Sequence, residues 1–75
     1  MRKMFVIKAK DTITGEVFYI EDAKRLDDGA KIEWKFKLNE RTEFAKIFPS
    51  EEAVKYVHKG LTEQNSVYVF EMFAW

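Results

Sequence analysis

The sequence predicts a small α+β domain of order β-β-β-α-β, a four-stranded, mainly antiparallel sheet with one helix packed on one face. Three observations predict it. Residues 30–39 alternate apolar and polar without a break, the period of a strand with one dry face. Pro49-Ser50-Glu51-Glu52 is a helix opening. Between these signals the three glycines and single proline fall as punctuation, with no linker, repeat or low-complexity stretch, so residues 1–75 are expected to form one domain.

The first strand is expected over Met4 to Lys10. Phe5, Ile7 and Ala9 share one face, and Met4, Val6, Lys8 and Lys10 share the other. Asp11-Thr12-Ile13-Thr14-Gly15 makes a hairpin loop, with Gly15 free to take a positive φ. The second strand begins near Glu16, carries the β-favouring run Val17-Phe18-Tyr19-Ile20, and continues weakly to Leu26. Asp27-Asp28-Gly29 turns the chain again. In the third strand Ala30, Ile32, Trp34, Phe36 and Leu38 face the core. Residues 40–48 fit neither period cleanly; an irregular or one-turn segment that pins Phe44 and Phe48 under the sheet is expected.

Ser50 is placed to cap the helix, and Glu51 and Glu52 suit the positive end of its dipole. The helix is expected to end near Lys59, with Gly60 as its terminating residue and Leu61 as the apolar contact beyond it. Ala53, Val54, Val57 and Leu61 form the buried stripe, and Glu51 precedes Lys55 by four residues, the favourable order. Residues 62–66 read as a polar connection. The last strand follows over Val67 to Trp75, with Val67, Val69, Glu71, Phe73 and Trp75 on one face and Tyr68, Phe70, Met72 and Ala74 on the other. A right-handed crossover through the helix would lay this strand parallel to the first, in sheet order 3-2-1-4.

A chain this short buries only about 60% of its unfolded surface, so the core is thin. Cysteine is absent and His58 is the single histidine, so disulfides and a histidine–cysteine metal site are unavailable. Seven Phe, three Tyr and two Trp must supply the burial instead. Thirteen acids balance thirteen bases, which argues against a strong field for nucleic acid or anionic membrane. No stretch approaches the roughly 18 apolar residues of a membrane span. The apolar run after Arg2 and Lys3 is shorter than the about 7–15 residues of a signal peptide, so a cytoplasmic protein is expected.

Enzyme motifs are missing: there is no glycine-rich phosphate loop, no metal-binding histidine pair and no cysteine nucleophile. Ser50 has a capping role and Ser66 sits at a strand entry. The chain is therefore expected to be non-enzymatic and to need no cofactor or metal. His58 reads as a half-exposed side chain on the helix flank rather than as a metal ligand or pH switch.

Two surfaces stand out as binding candidates. Lys8, Lys10, Lys31, Lys35 and Lys37 share the wet face of the sheet and would suit phosphate backbones. Glu33 interrupts that row, the third strand's aromatics point the other way, and a solvated face explains the lysines as well. The segment from Tyr68 to Trp75 is aromatic to its last residue. Either both its faces are covered within the domain, or Met72, Phe73 and Trp75 anchor a protein partner or a second copy of the chain. A covered strand is the commoner case, but so small a core favours a protein-binding module as the expected function; a nucleic-acid-binding domain on the lysine face and a small self-assembling structural subunit are the alternatives.

Ala45-Lys46-Ile47-Phe48-Pro49-Ser50-Glu51-Glu52-Ala53, within residues 45–57, resembles a segment common in small accessory proteins of phages and prophages of low-GC Gram-positive bacteria. There an Ala-Lys-x-Phe stretch precedes a capped helix opening with Glu-Ala. Strands like Phe5-Val6-Ile7-Lys8 and Val67-Tyr68-Val69 flank it. The resemblance implies a binding role, such as blocking or modulating a host protein. It carries over no functional residue.

Overall fold

A computed structural model describes residues 4–74. Four strands, β1 (Phe5–Asp11), β2 (Val17–Asp27), β3 (Ile32–Asn39) and β4 (Tyr68–Ala74), form one antiparallel sheet in the order β3-β2-β1-β4. One helix, α1 (Glu51–Gln64), packs on one face, and the domain is a small α+β fold. Gly15 and Gly29 take φ of 77° and 88°, so both hairpin turns use the glycine conformation that their positions suggested.

The last strand corrects the expected connection. β4 runs antiparallel to β1, pairing Phe5 with Ala74 through to Asp11 with Tyr68. The reason lies in residues 40–48. After a single 3-10 turn at Thr42–Phe44, the chain travels back along the sheet before the helix begins. Phe48 exchanges backbone hydrogen bonds with Phe5, at 3.0 and 2.8 Å, and Lys46 N–H donates to the Ile20 carbonyl at 2.8 Å. A helix that starts beside Phe5 delivers the chain to Asp11, and β4 must then run back down.

That return segment fills a gap made by β2. β2 pairs with β1 only over Val17–Tyr19; an irregularity between Ile20 and Asp22 turns the rest of the strand away to pair with β3 alone. Phe48 occupies the opening and is buried, whereas Phe44 is exposed, so one of the two phenylalanines expected beneath the sheet is there.

The sheet curls strongly. Edge strands three spacings apart in a flat sheet would lie about 14 Å from each other. Yet Phe36 of β3 meets Tyr68 and Phe70 of β4 edge to face, with ring centroids 6.1 and 5.8 Å apart. The helix lies across the face on which these rings meet. Ile7, Ala9, Ile20, Trp34, Phe48, Val54, Leu61 and Phe70 make the core there.

The helix begins as expected. The Ser50 side chain accepts from Ala53 N–H at 3.1 Å, and Lys55 pairs with Glu51 at 2.8 Å. Its end is a second correction. The helix does not stop at Lys59 but continues through Gly60 to Gln64, where Asn65 N–H closes on the Leu61 carbonyl. Gly60 has ordinary helical geometry and serves packing instead. The Trp34 indole lies against the bare backbone there, and a Cβ on Gly60 would collide with its Nε1. Among the described residues no helix is long and apolar enough to cross a membrane.

Candidate functional site

Backbone direction decides what each sheet edge offers. In an antiparallel strand, the N–H and C=O of one residue point to the same side, and those of the next residue point to the other. Thr12 N–H donates to the Val67 carbonyl at 2.9 Å, which fixes the phase. Val69, Glu71 and Phe73 therefore bond towards β1, and Tyr68, Phe70, Met72 and Ala74 turn their backbone groups outward. The same reasoning from the Asp28–Lys31 bond turns Ile32, Trp34 and Phe36 of β3 outward.

Two side chains of α1 reach these edges. On β3, the Gln64 amide acts as a neighbouring strand would: its oxygen accepts from Trp34 N–H, and its Nε2 donates to the Trp34 carbonyl at 2.7 Å. On β4, His58 Nε2 lies 2.6 Å from the outward Phe70 carbonyl. A carbonyl only accepts, so Nε2 carries the proton. His58 is part-buried on the helix flank, as the sequence suggested, and its hydrogen bond to the sheet is a contact that neither reading anticipated.

The two edges differ in what remains. β3 is flanked on its open face by Glu33, Lys35 and Lys37, charges of the kind that discourage strand addition. Beyond Phe70, β4 carries a single charge on its open face, Glu71. The Met72 and Ala74 backbone groups face outward, and the flanking Met72 and Phe73 side chains are 38% and 39% exposed. Of the expected anchors, Met72 and Phe73 lie on opposite faces of the strand and share its edge rather than one flat patch; Trp75 lies outside the described residues.

The lysines are dispersed. Lys8 and Lys10 project from β1, and Lys35 and Lys37 from β3, on the face away from the helix; Lys31 sits in the β2–β3 turn. Lys37 is paired with Glu21 at 2.8 Å, and Lys8 Nζ lies over the Phe73 ring, 5.2 Å from its centroid. Lys24 of β2, absent from the sequence-based set, stands opposite Lys35. Asp22, Glu33 and Glu71 are interspersed on the same face.

An open cleft of about 430 Å³ lies between the β2–β3 arm and the helix, walled by Trp34, Tyr56 and Gly60 and edged by Arg25, Lys59 and Glu63. Arg25 is engaged by Asp27 at 3.6 Å, and Trp34 meets Tyr56 edge to face. Among the described residues no group of three or more His, Cys, Asp or Glu side chains could hold a metal ion. Comparison with known proteins finds no match among family models, curated proteins or solved structures.

Proposed function

We propose that this chain is a non-enzymatic protein-binding module of the cytoplasm that receives an added strand along the open edge of β4. The observation that carries the reading is the contrast between the edges: β3 is held at Trp34 by Gln64 and flanked by Glu33, Lys35 and Lys37, while Met72 and Ala74 turn backbone groups outward beside the half-exposed Met72 and Phe73 side chains. Main-chain hydrogen bonds supply affinity in strand addition, and the side chains on either face supply specificity. The sequence resemblance to phage and prophage accessory proteins supports a modulating role towards another protein.

Proline substitution tests the edge directly. Met72→Pro removes an N–H that no β1 residue uses, whereas Phe73→Pro removes one that β1 needs. Wild-type protein immobilised in a lysate of a low-GC Gram-positive bacterium should retain a partner that Met72→Pro loses while keeping its circular dichroism. Retention of the same partner by Met72→Pro contradicts the reading.

A further inference from the structure

We infer that the cleft between the β2–β3 arm and α1 binds a small carboxylate with an apolar body, of the arylacetate class. The reading is independent of the β4 edge. It starts from Trp34, which is only 8% exposed. A buried indole N–H usually finds a hydrogen-bond partner. Both hydrogen bonds of Trp34 are made by its backbone, and its indole N–H has no acceptor among the described residues. No fully buried side-chain nitrogen or oxygen among those residues is left unpaired, so this N–H is not sealed off. Trp34 lines the cleft, which supplies the opening. The donor is thus set in an apolar wall and left for the acceptor of a ligand.

Two cations decide which acceptor. Arg25 stands directly opposite Trp34 in the β2–β3 pair, so its guanidinium rises from the same face as the indole. Its ion pair with Asp27 is long, at 3.6 Å, and exposed, and such a pair contributes little. The guanidinium is free to turn to a ligand carboxylate instead, which its planar fork matches. Lys59, on the helix wall, forms no ion pair among the described residues. Glu63 is the one acid of the lining, so the walls carry two positive charges to one negative. The remaining surface sets the apolar body. Ile32 and Tyr56 stay 51% and 56% exposed beside the cleft, and its volume of about 430 Å³ falls within the roughly 300–1,000 Å³ of small-ligand sites.

Phenylacetate and its uncharged analogue phenylacetamide test this by proton–nitrogen NMR. Trp34→Phe tells the indole signal of Trp34 from that of Trp75. Phenylacetate at millimolar concentration should shift the Trp34 indole N–H and the Gly60 amide along one saturating curve. Phenylacetamide, which offers the cations no charge, should bind about tenfold more weakly. Arg25→Gln and Lys59→Gln, both at exposed positions, should keep the wild-type circular dichroism and each weaken phenylacetate, Arg25→Gln by about tenfold. Glu63→Gln should tighten it. No saturable shift at the Trp34 indole overturns the inference. So does phenylacetamide binding as tightly as phenylacetate, or folded Arg25→Gln and Lys59→Gln variants that bind like the wild type. A Glu63→Gln variant that binds phenylacetate more weakly also overturns it, since the cleft would then favour a cationic group.

Discussion

Trp34 and Gln64 meet as two strands of a sheet would meet, with one side-chain amide taking both the N–H and the C=O of an edge residue. Thirty residues of sequence separate them. The contact fixes the end of the helix to the outer strand and occupies the outward backbone groups at Trp34. Gln64→Ala leaves both backbone groups to water at a half-buried position. A loss of about 1–3 kcal/mol is expected in urea denaturation, with the midpoint lowered and the slope unchanged. Gln64→Glu, which keeps the acceptor but sets a carboxylate beside the Trp34 carbonyl, should recover none of it.

Gly60→Ala should move against the usual direction. Inside an exposed helix, alanine in place of glycine stabilises by about 1 kcal/mol. Here the new methyl group would collide with the Trp34 indole, with Cδ1 as well as Nε1 inside contact distance. A net destabilisation of about 1–3 kcal/mol is expected, together with a changed tryptophan fluorescence. Gly60→Ala in a Trp34→Leu background should lose much of the penalty.

Ser50→Ala removes the side chain that receives Ala53 N–H at the helix start. The expected loss is about 1 kcal/mol by chemical denaturation. Ser50→Asp should preserve the cap and gain from the dipole, returning stability to the wild-type level.

Acid should weaken the β2–β3 arm. Hydrogen bonds from Lys37 and Asn39 hold the Glu21 carboxyl below its ordinary value of 4.5. Backbone N–H groups of Lys31 and Ala30 hold Asp28 below 3.8. Both groups bind protons more weakly when folded, so their contribution is present above those ordinary values and is lost as pH falls through the lower folded ones. Lys37, raised above 10.5 by Glu21, adds the opposite limb: its share is lost as pH rises through its folded value. Glu21→Gln should flatten both limbs of the stability–pH curve, read as urea midpoints.

Much of this fold was legible in local chemistry. The alternation through Trp34, Phe36 and Leu38, the glycine turns at Gly15 and Gly29, and the Ser50 cap are each decided by a few neighbouring residues. The misread features depend on distant partners. Gly60 looks like a helix stop until Trp34 is placed against it. The direction of β4 turns on Phe48 pairing with Phe5, forty-three positions away, and an ambiguous period through residues 40–48 gives no hint of it. The candidate site was half visible: the apolar run in β4 marked the strand, but its open edge is defined by where His58 and Gln64 reach, and neither contact has a sequence signature.

β4 is proposed as the edge that receives a strand, while Gln64 holds β3 at Trp34. Residue-resolved amide hydrogen exchange in dilute solution is the deciding measurement. Trp34 N–H, held by Gln64, and Phe73 N–H, held by β1, should exchange slowly, and Met72 N–H quickly. A Met72 amide as slow as Phe73, or a Trp34 amide as fast as Met72, would contradict that assignment of the edges.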